Sequence, residues 1–211
     1  MLTKKDYLLV SIIGFFFGLF SLPILKNIKI SGLPITITAG IAIVIFFILF
    51  AIAALWISSL IAKKIPVFLQ IAKFAATGAL NTFIDLGILN ILLIAFSVTA
   101  GVWYAVFKGI SFTVATINSY LWNKYWTFES KANANVKEFG QFLVVSVIGF
   151  GVNVASASFI VNVIHPLAGF TPARWANVGA LSATIISLVW NFIGYKFIVF
   201  KKHENIPANS N

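Results

Sequence analysis

Six long apolar runs, separated by short polar breaks, constrain the fold of this chain more than any other feature. A helix needs roughly 20 apolar residues to cross a hydrocarbon layer about 30 Å thick, and each run meets that requirement. Only 9% of the residues are charged, against roughly 25% in soluble domains. The sequence therefore predicts an all-α integral membrane protein with six transmembrane helices. The predicted spans are 7–25, 35–61, 68–96, 103–126, 139–163 and 174–200.

Basic residues lie at the ends of the apolar runs and are divided unequally between the two sides of the predicted membrane. Six spans place eleven of the 15 basic residues on one side, which favours cytoplasmic termini because cytoplasmic loops are enriched in Lys and Arg. We therefore expect a multi-pass protein of the cell membrane with both termini in the cytoplasm. The net charge of +10 indicates contact with anionic headgroups rather than with nucleic acid. The eleven residues are Lys4, Lys5, Lys63, Lys64, Lys73, Lys124, Lys131, Lys137, Lys196, Lys201 and Lys202.

A shift of 72 residues superposes polar and aromatic residues of the third and fourth spans on those of the last two. The superposed pairs are Asn81 and Asn153, Asn90 and Asn162, Trp103 and Trp175, Lys124 and Lys196, Tyr125 and Phe197, and Phe128 and Phe200. Each unit contains two spans, so the two units have the same orientation. The last four helices are therefore predicted to form a parallel two-fold repeat about an axis along the membrane normal.

This repeat defines the predicted domains. Two additional N-terminal helices occupy 1–65, and a four-helix domain occupies 66–202, with repeat units at about 66–130 and 138–202. The residues 203–211 are predicted to be a disordered tail. In the first span, Gly14 and Gly18 form a G-x-x-x-G motif that permits close helix contact. Packing within the chain is the favoured role of this motif, and a homo-oligomeric contact is the alternative.

Polar residues recur at helical spacing inside the predicted spans, where lipid would reject them. They should therefore face one another around a cavity or a tight interface. Asp85 lies near the middle of its span, and the flexible Lys108 on the next helix can reach toward it. This pair is either coupled to a proton or a substrate, or it is a structural ion pair. Asp85 corresponds to Ala157 in the second unit, so the site is predicted to be asymmetric. The predicted intramembrane polar path consists of Gln70, Asn81, Asp85, Lys108, Ser111 and Asn153.

Asparagine, lysine and aromatic residues are concentrated in NSYLWNKYWTF, at 118–128, and again in WNFIGYKFIVF, at 190–200. Rings at such positions are typical of an aromatic belt at the membrane interface. Alternatively, the two ends, brought together by pseudo-symmetry, hold a phosphate headgroup by lysine charge and asparagine donors, with rings flanking a sugar or an isoprenoid. Both readings stay open. The predicted headgroup residues are Asn118, Trp122, Asn123, Lys124, Trp126, Trp190, Asn191 and Lys196.

The chain from residue 68 to about 200 resembles the GtrA-like family of small membrane proteins. The resemblance is carried by FLQIAKFAATGALN at 68–81, NSYLWNKYWTF at 118–128, QFLVVSVIG at 141–149 and WNFIGYKFIVF at 190–200. It implies a four-helix domain that moves polyprenyl-phosphate-linked sugars across the cytoplasmic membrane for the modification of surface glycans or glycolipids. It also implies a partner, a membrane-associated family 2-type glycosyltransferase that loads the lipid. The chain departs from the family in its two extra N-terminal spans and in Ile198, which replaces the tryptophan of the terminal motif.

Three functions are compatible with these patterns. The first is translocation of polyprenyl phosphate, free or sugar-bearing. The second is a non-transporting scaffold that recruits a polyprenyl-phosphate glycosyltransferase. The third is a small multidrug-type exporter, which the lysines disfavour because they would repel cationic substrates. The sequence offers no paired carboxylates, serine–histidine set or metal cluster, so we expect no enzyme activity, no catalytic residue, no metal and no cofactor.

Overall fold

In the computed structural model, the described residues are 2–28, 36–97, 100–164, 166 and 171–201. They form six long helices: α1 (Lys4–Ile28), α2 (Ile37–Ala62), α3 (Val67–Phe96), α4 (Gly101–Trp122), α5 (Val136–Asn162) and α6 (Pro172–Gly194). A five-residue π-helix directly follows each of α4 and α6. We name these segments π1 (Asn123–Thr127) and π2 (Tyr195–Val199). The predicted tail, 203–211, lies outside the described residues.

Local sequence explains where several helices begin. Thr36 precedes α2, and its side chain accepts a hydrogen bond from the Ala39 N–H, as an N-cap does. Asn135 caps α5 in the same way by accepting from the Glu138 N–H. At the start of α1, Thr3 and Asp6 exchange backbone-to-side-chain hydrogen bonds in a reciprocal capping box.

Five helices are apolar and long enough to cross a membrane: Lys4–Pro23, Ile37–Ala62, Val67–Phe96, Val136–Asn162 and Val178–Val199. The remaining helix, α4, has 22 residues and a length of roughly 33 Å. It is long enough, but polar residues along one of its faces lower its mean hydropathy. The predicted all-α, multi-pass membrane fold is confirmed.

The chain divides into two compact units, Met1–Glu129 and Ser130–Asn211. Unit 1 contains α1 to α4 and π1, and unit 2 contains α5, α6 and π2. In unit 1, α1 packs against both α2 and α3, so the two additional helices share a core with the first half of the predicted repeat. That core includes Val10, Ile13, Leu55, Leu80 and Ile84. The domain boundary predicted at residue 65 was based on the sequence repeat, whereas α1 packs across that boundary against α3. The boundary stays a prediction.

The Gly14–Gly18 motif brings α1 close to the backbone of α2. A carbon added at Gly14 would lie 2.6 Å from the Ile48 Cα atom, and one added at Gly18 would lie 2.7 Å from the Val44 Cα atom. Only glycine permits this approach, because any Cβ atom would overlap the neighbouring backbone. The motif therefore serves contact within the chain, as the favoured reading holds.

Both π-helices begin where the 72-residue shift places them. The Phe128 N–H donates to the Asn123 carbonyl, and the Phe200 N–H donates to the Tyr195 carbonyl, each at 2.8 Å. The predicted repeat thus has a local counterpart in the backbone of each unit. Its symmetry axis, which concerns the placement of the two units, stays a prediction.

Candidate functional site

One face of α3 carries a polar side chain at every fourth residue, namely Lys73, Thr77, Asn81 and Asp85. Residues four apart lie above one another on a helix, so the four side chains form a single line about 18 Å long. Each meets a polar group from α4, π1 or the residues near them. We call this line, with its partners, the polar ladder.

Asp85 forms the rung of the ladder farthest from π1. Its Oδ2 atom accepts a hydrogen bond from the Lys108 Nζ atom, and its Oδ1 atom accepts one from the Ser111 Oγ atom at 2.7 Å. Ser111 is fully buried, whereas the side chains of Asp85 and Lys108 are 21% and 41% exposed. The structure thus brings together three residues of the predicted polar path and leaves the ion pair partly exposed.

Asn81 forms the next rung with two residues that the sequence placed at the headgroup. The Asn118 Nδ2 atom donates to the Asn81 Oδ1 atom at 2.6 Å, and the Trp122 Nε1 atom donates to the Asn118 Oδ1 atom at 3.0 Å. The Asn81 Nδ2 atom is buried without a hydrogen-bond partner among the described residues. A buried donor left unpaired costs roughly 1–3 kcal/mol, so this rung is less stable than a fully paired one.

Thr77 and Gln70 join the ladder to π1. The Thr77 and Thr127 hydroxyl oxygens are 3.4 Å apart, and the Gln70 Nε2 atom donates to the Thr127 carbonyl at 3.3 Å. A π-helix is an irregular turn that often occurs at functional sites. Here its last carbonyl is paired by a side chain from α3, which fixes π1 against the ladder.

Lys73 forms the last rung, which reaches the N-terminal helix. Its Nζ atom lies 2.6 Å from the Asp6 Oδ1 atom and 3.1 Å from the Glu129 Oε1 atom. The Trp126 Nε1 atom donates to the same Asp6 oxygen at 3.0 Å, and the Lys73 ammonium lies 5.6 Å from the centre of a Trp126 ring. We call Asp6, Lys73, Trp126 and Glu129 the Lys73 cluster. It connects α1, α3 and π1 through charged side chains, of which only Glu129 is exposed.

Sequence reasoning did not identify Asp6, Lys73, Thr127 or Glu129 as site residues. Lys73 was counted only among the basic residues, although it precedes Thr77 by four positions on the polar face of α3. That spacing was the available signal. Nothing in the sequence links Asp6 to Lys73, since their contact depends on how α1 packs.

The remaining predicted headgroup residues of unit 1 lie mostly inside the protein. Asn123 and Lys124 are 2% and 0% exposed. The Asn123 Nδ2 atom donates to the Ser119 carbonyl at 2.9 Å, while its Oδ1 atom is buried and unpaired among the described residues. The Lys124 ammonium lies 5.8 Å from the centre of the Tyr125 ring. The headgroup role of these residues stays a prediction.

In unit 2, the predicted residues make a different set of contacts. The Trp190 Nε1 atom donates to the Val145 carbonyl at 3.1 Å, and the Asn153 Nδ2 atom donates to the Ser187 Oγ atom at 3.2 Å. The Asn191 Oδ1 atom is buried without a hydrogen-bond partner in the described part of the chain. Lys196 is partly exposed, 5.5 Å from the Phe192 ring and 5.7 Å from the Phe197 ring.

Comparison with known proteins places this arrangement in a family. The profile described as "GtrA/DPMS, transmembrane domain" matches residues 73–200, more than half of the chain. The chain belongs to the GtrA/DPMS transmembrane-domain family. It is also 32% identical over 130 residues to the uncharacterized membrane protein YngA of Bacillus subtilis (strain 168), covering 62% of this chain and 78% of that relative. No solved structure matches the chain. The family region begins at Lys73, so it contains all four α3 residues of the ladder but not α1 or α2.

Proposed function

We propose that this protein translocates polyprenyl phosphate, free or sugar-linked, across the cytoplasmic membrane for the modification of surface glycans or glycolipids. The observation that carries the proposal is the polar ladder between α3 and α4 of a GtrA/DPMS membrane domain. The family links the chain to polyprenyl-phosphate sugars. The ladder supplies the polar surface that a charged headgroup needs in order to cross a hydrocarbon layer.

The chemistry of the ladder suits such a headgroup. A phosphate or sugar accepts and donates hydrogen bonds, and the ladder offers hydroxyls, amides and a cation along about 18 Å of α3. The Asn81 Nδ2 atom, buried without a partner among the described residues, adds a polar donor to the middle of this path. Lys108, partly exposed at the far end, provides a positive charge that Asp85 holds in place. Ionisable residues at membrane depth are costly and are usually functional.

The orientation of the protein completes the proposal. With both termini in the cytoplasm, the Lys73 cluster faces the cytoplasmic leaflet, and Lys108 lies toward the outer leaflet. A membrane-associated family 2-type glycosyltransferase would load the lipid on the inner side. The chain itself would act as a translocator without catalysis and without a cofactor.

A flipping assay in proteoliposomes tests the proposal. Polyprenyl phosphate labelled in its headgroup is reconstituted with purified protein, and the fraction that changes leaflets is followed over time. We expect Asp85→Asn to slow flipping at least tenfold, because a neutral amide cannot hold the Lys108 charge. Thr113→Val is the matched control, since Thr113 is exposed on α4 and bonds only to its own helix at the Gly109 carbonyl. Absence of flipping by the folded wild-type protein would refute translocation.

A scaffold that recruits the glycosyltransferase is the second candidate. It is favoured by the way most rungs pair internally, as polar groups do when they join helices in a membrane. This function predicts stable co-purification with the enzyme and no flipping by the pure protein. It also predicts that Asp85→Asn changes the thermal stability of the protein but not lipid movement.

A further inference from the structure

A small pocket lies between α1 and the aromatic end of α4 within unit 1. Its volume is about 230 Å³. One wall consists of Lys5 and Leu9 from α1, and the other consists of Leu121, Trp122, Tyr125 and Trp126. The pocket therefore combines a cation from outside the family region with aromatic residues from inside it.

Two adjacent residues of α1 have opposite surroundings at this pocket. Asp6 is buried and accepts hydrogen bonds from Lys73 and Trp126, whereas Lys5 is exposed and lines the pocket. The Trp126 indole is 2% exposed and is fixed by Asp6 on one side and by the edge-to-face Trp122 ring on the other. The Asp6 contact thus fixes the Trp126 ring of the aromatic wall against the first turn of α1, from which Lys5 reaches the pocket.

We propose that this pocket binds the phosphate headgroup of a polyprenyl lipid, with the Lys5 ammonium contacting the phosphate and the Trp122 and Tyr125 rings flanking the adjoining isoprene. The proposal deepens the proposed function and rests on it. It assigns α1, which lies outside the matched residues 73–200, a direct part in lipid recognition.

Three observations support this occupant. An ammonium group forms charge-assisted hydrogen bonds with phosphate oxygens, which are stronger than bonds between neutral groups. Tyr and Trp rings are amphipathic and suit the boundary between headgroups and lipid tails. Lys5 is also the reachable cation here, because Lys124, the lysine of the aromatic motif, is fully buried.

Lipid binding by single-lysine variants tests the pocket. The full chain is placed in nanodiscs of neutral phosphatidylcholine, and polyprenyl phosphate is titrated while bound lipid is counted by native mass spectrometry. We expect Lys5→Ala to weaken binding about tenfold, because it removes the charge-assisted contact. Lys5→Arg should restore most of the affinity. Lys4→Ala is the matched control, since Lys4 is the adjacent exposed lysine and does not line the pocket.

Equal losses for Lys4→Ala and Lys5→Ala would overturn the pocket in favour of general attraction to the basic surface. No loss for either variant, or no binding by the wild type, would overturn it directly. Phosphatidic acid that competes as well as polyprenyl phosphate would refute the isoprene contact. The flipping assay on the same samples separates the two proposals. Lys5-dependent binding without flipping supports the pocket and refutes translocation. Flipping at an equal rate with and without Lys5 supports translocation and refutes the pocket.

Discussion

The two π-helices of this protein have matching backbones but different surroundings. π1 packs against charged and polar side chains of unit 1, and π2 packs against aromatic and aliphatic side chains of unit 2. The 72-residue shift pairs several residues of the polar ladder and the Lys73 cluster with an apolar residue or a glycine of unit 2. These pairs are Gln70 and Phe142, Lys73 and Val145, Thr77 and Gly149, Ser111 and Ala183, Trp126 and Ile198, and Thr127 and Val199.

An aromatic cluster stabilises π2. The Phe142 and Tyr195 rings are stacked with their centroids 4.5 Å apart, and Phe200 lies against both. The Tyr195 hydroxyl is hydrogen-bonded to the Ser146 Oγ atom at 2.7 Å. Val145 fills the position that Lys73 occupies in unit 1 and is equally buried.

Comparing π1 with π2 shows which features the π-helical backbone requires and which features are specific to the side chains of unit 1. Because π2 forms against a mostly apolar wall, a π-helix at this point does not depend on buried charges. The Lys73 cluster and the polar ladder are therefore present in unit 1 in addition to the π-helix that both units share. Buried ion pairs seldom stabilise a protein more than apolar residues of similar size would, so stability alone does not account for them. We therefore assign the proposed function to the polar ladder of unit 1.

Replacing Lys73 is expected to have the largest effect on stability. Lys73→Met leaves the Asp6 carboxylate buried without its cation, which should lower the free energy of unfolding by about 3–5 kcal/mol. Denaturant unfolding of the protein in detergent micelles measures this loss. The double variant Asp6→Asn with Lys73→Met removes both buried charges, keeps an acceptor oxygen for the Trp126 indole, and should recover most of the stability. A double variant no more stable than Lys73→Met would contradict the account.

Gly194 offers the next test, from the side of unit 2. It corresponds to Trp122 of unit 1, and a carbon added to it would lie 2.5 Å from the Val145 Cγ1 atom. Gly194→Ala should therefore lower the free energy of unfolding by about 1–3 kcal/mol through overpacking. Gly151→Ala is the control, because a carbon added there meets nothing within 4 Å. Equal melting temperatures for the two variants would show that the Val145 side chain moves aside without loss of stability, which would contradict the overpacking.

The sequence predicted the helices well because hydropathy decides where a chain crosses a membrane. The span predicted at 68–96 differs from α3 (Val67–Phe96) by one residue. The π-helices were not predicted, since the fourth and sixth spans were read as continuous. A π-turn differs from an α-turn in that each N–H bonds to the carbonyl five residues earlier instead of four, and this sequence contains no composition signal for that shift.

The ladder could be predicted only in part. Helical spacing identified Gln70, Asn81 and Asp85 on one face of α3, because periodicity reports which side chains share a face. The motif at 118–128 assigned Asn118 to the headgroup, which stays a prediction, and the structure shows that this amide donates to Asn81 inside the ladder. The Asp6–Lys73 contact could not be inferred, since periodicity within one helix does not determine which other helix packs against it.

Tyr195 provides a smaller test of the aromatic support of π2. Tyr195→Phe keeps the ring stacked on Phe142 and removes the hydroxyl that bonds to Ser146. We expect a loss of about 1 kcal/mol in the free energy of unfolding, the usual value for one hydrogen bond. Tyr125→Phe serves as the control because that side chain is 48% exposed. A loss several times larger would mean that the hydroxyl, rather than the stacked rings, holds π2.

Thr127 gives the smallest expected effect on stability and the sharpest comparison of the two units. Thr127→Val introduces the residue found at the equivalent position, Val199, with nearly the same shape. It removes a long hydroxyl contact to Thr77, 3.4 Å between oxygens, and keeps the Gln70 bond to the Thr127 carbonyl. We therefore expect a loss of about 0.5 kcal/mol, at the lower end for a hydrogen bond. Thermal unfolding in micelles measures it, with Val199→Thr as the reciprocal variant.

The value of Thr127→Val lies in measuring flipping on the same sample. If the ladder serves translocation, a variant this close to wild-type stability should still flip polyprenyl phosphate several-fold more slowly, because the ladder has lost one hydroxyl. If the ladder only joins helices, flipping should follow stability and stay nearly unchanged. Val199→Thr adds a hydroxyl to π2, outside the ladder, and should leave the flipping rate as it is. Equal slowing by both variants would contradict the proposed role of the polar ladder in translocation.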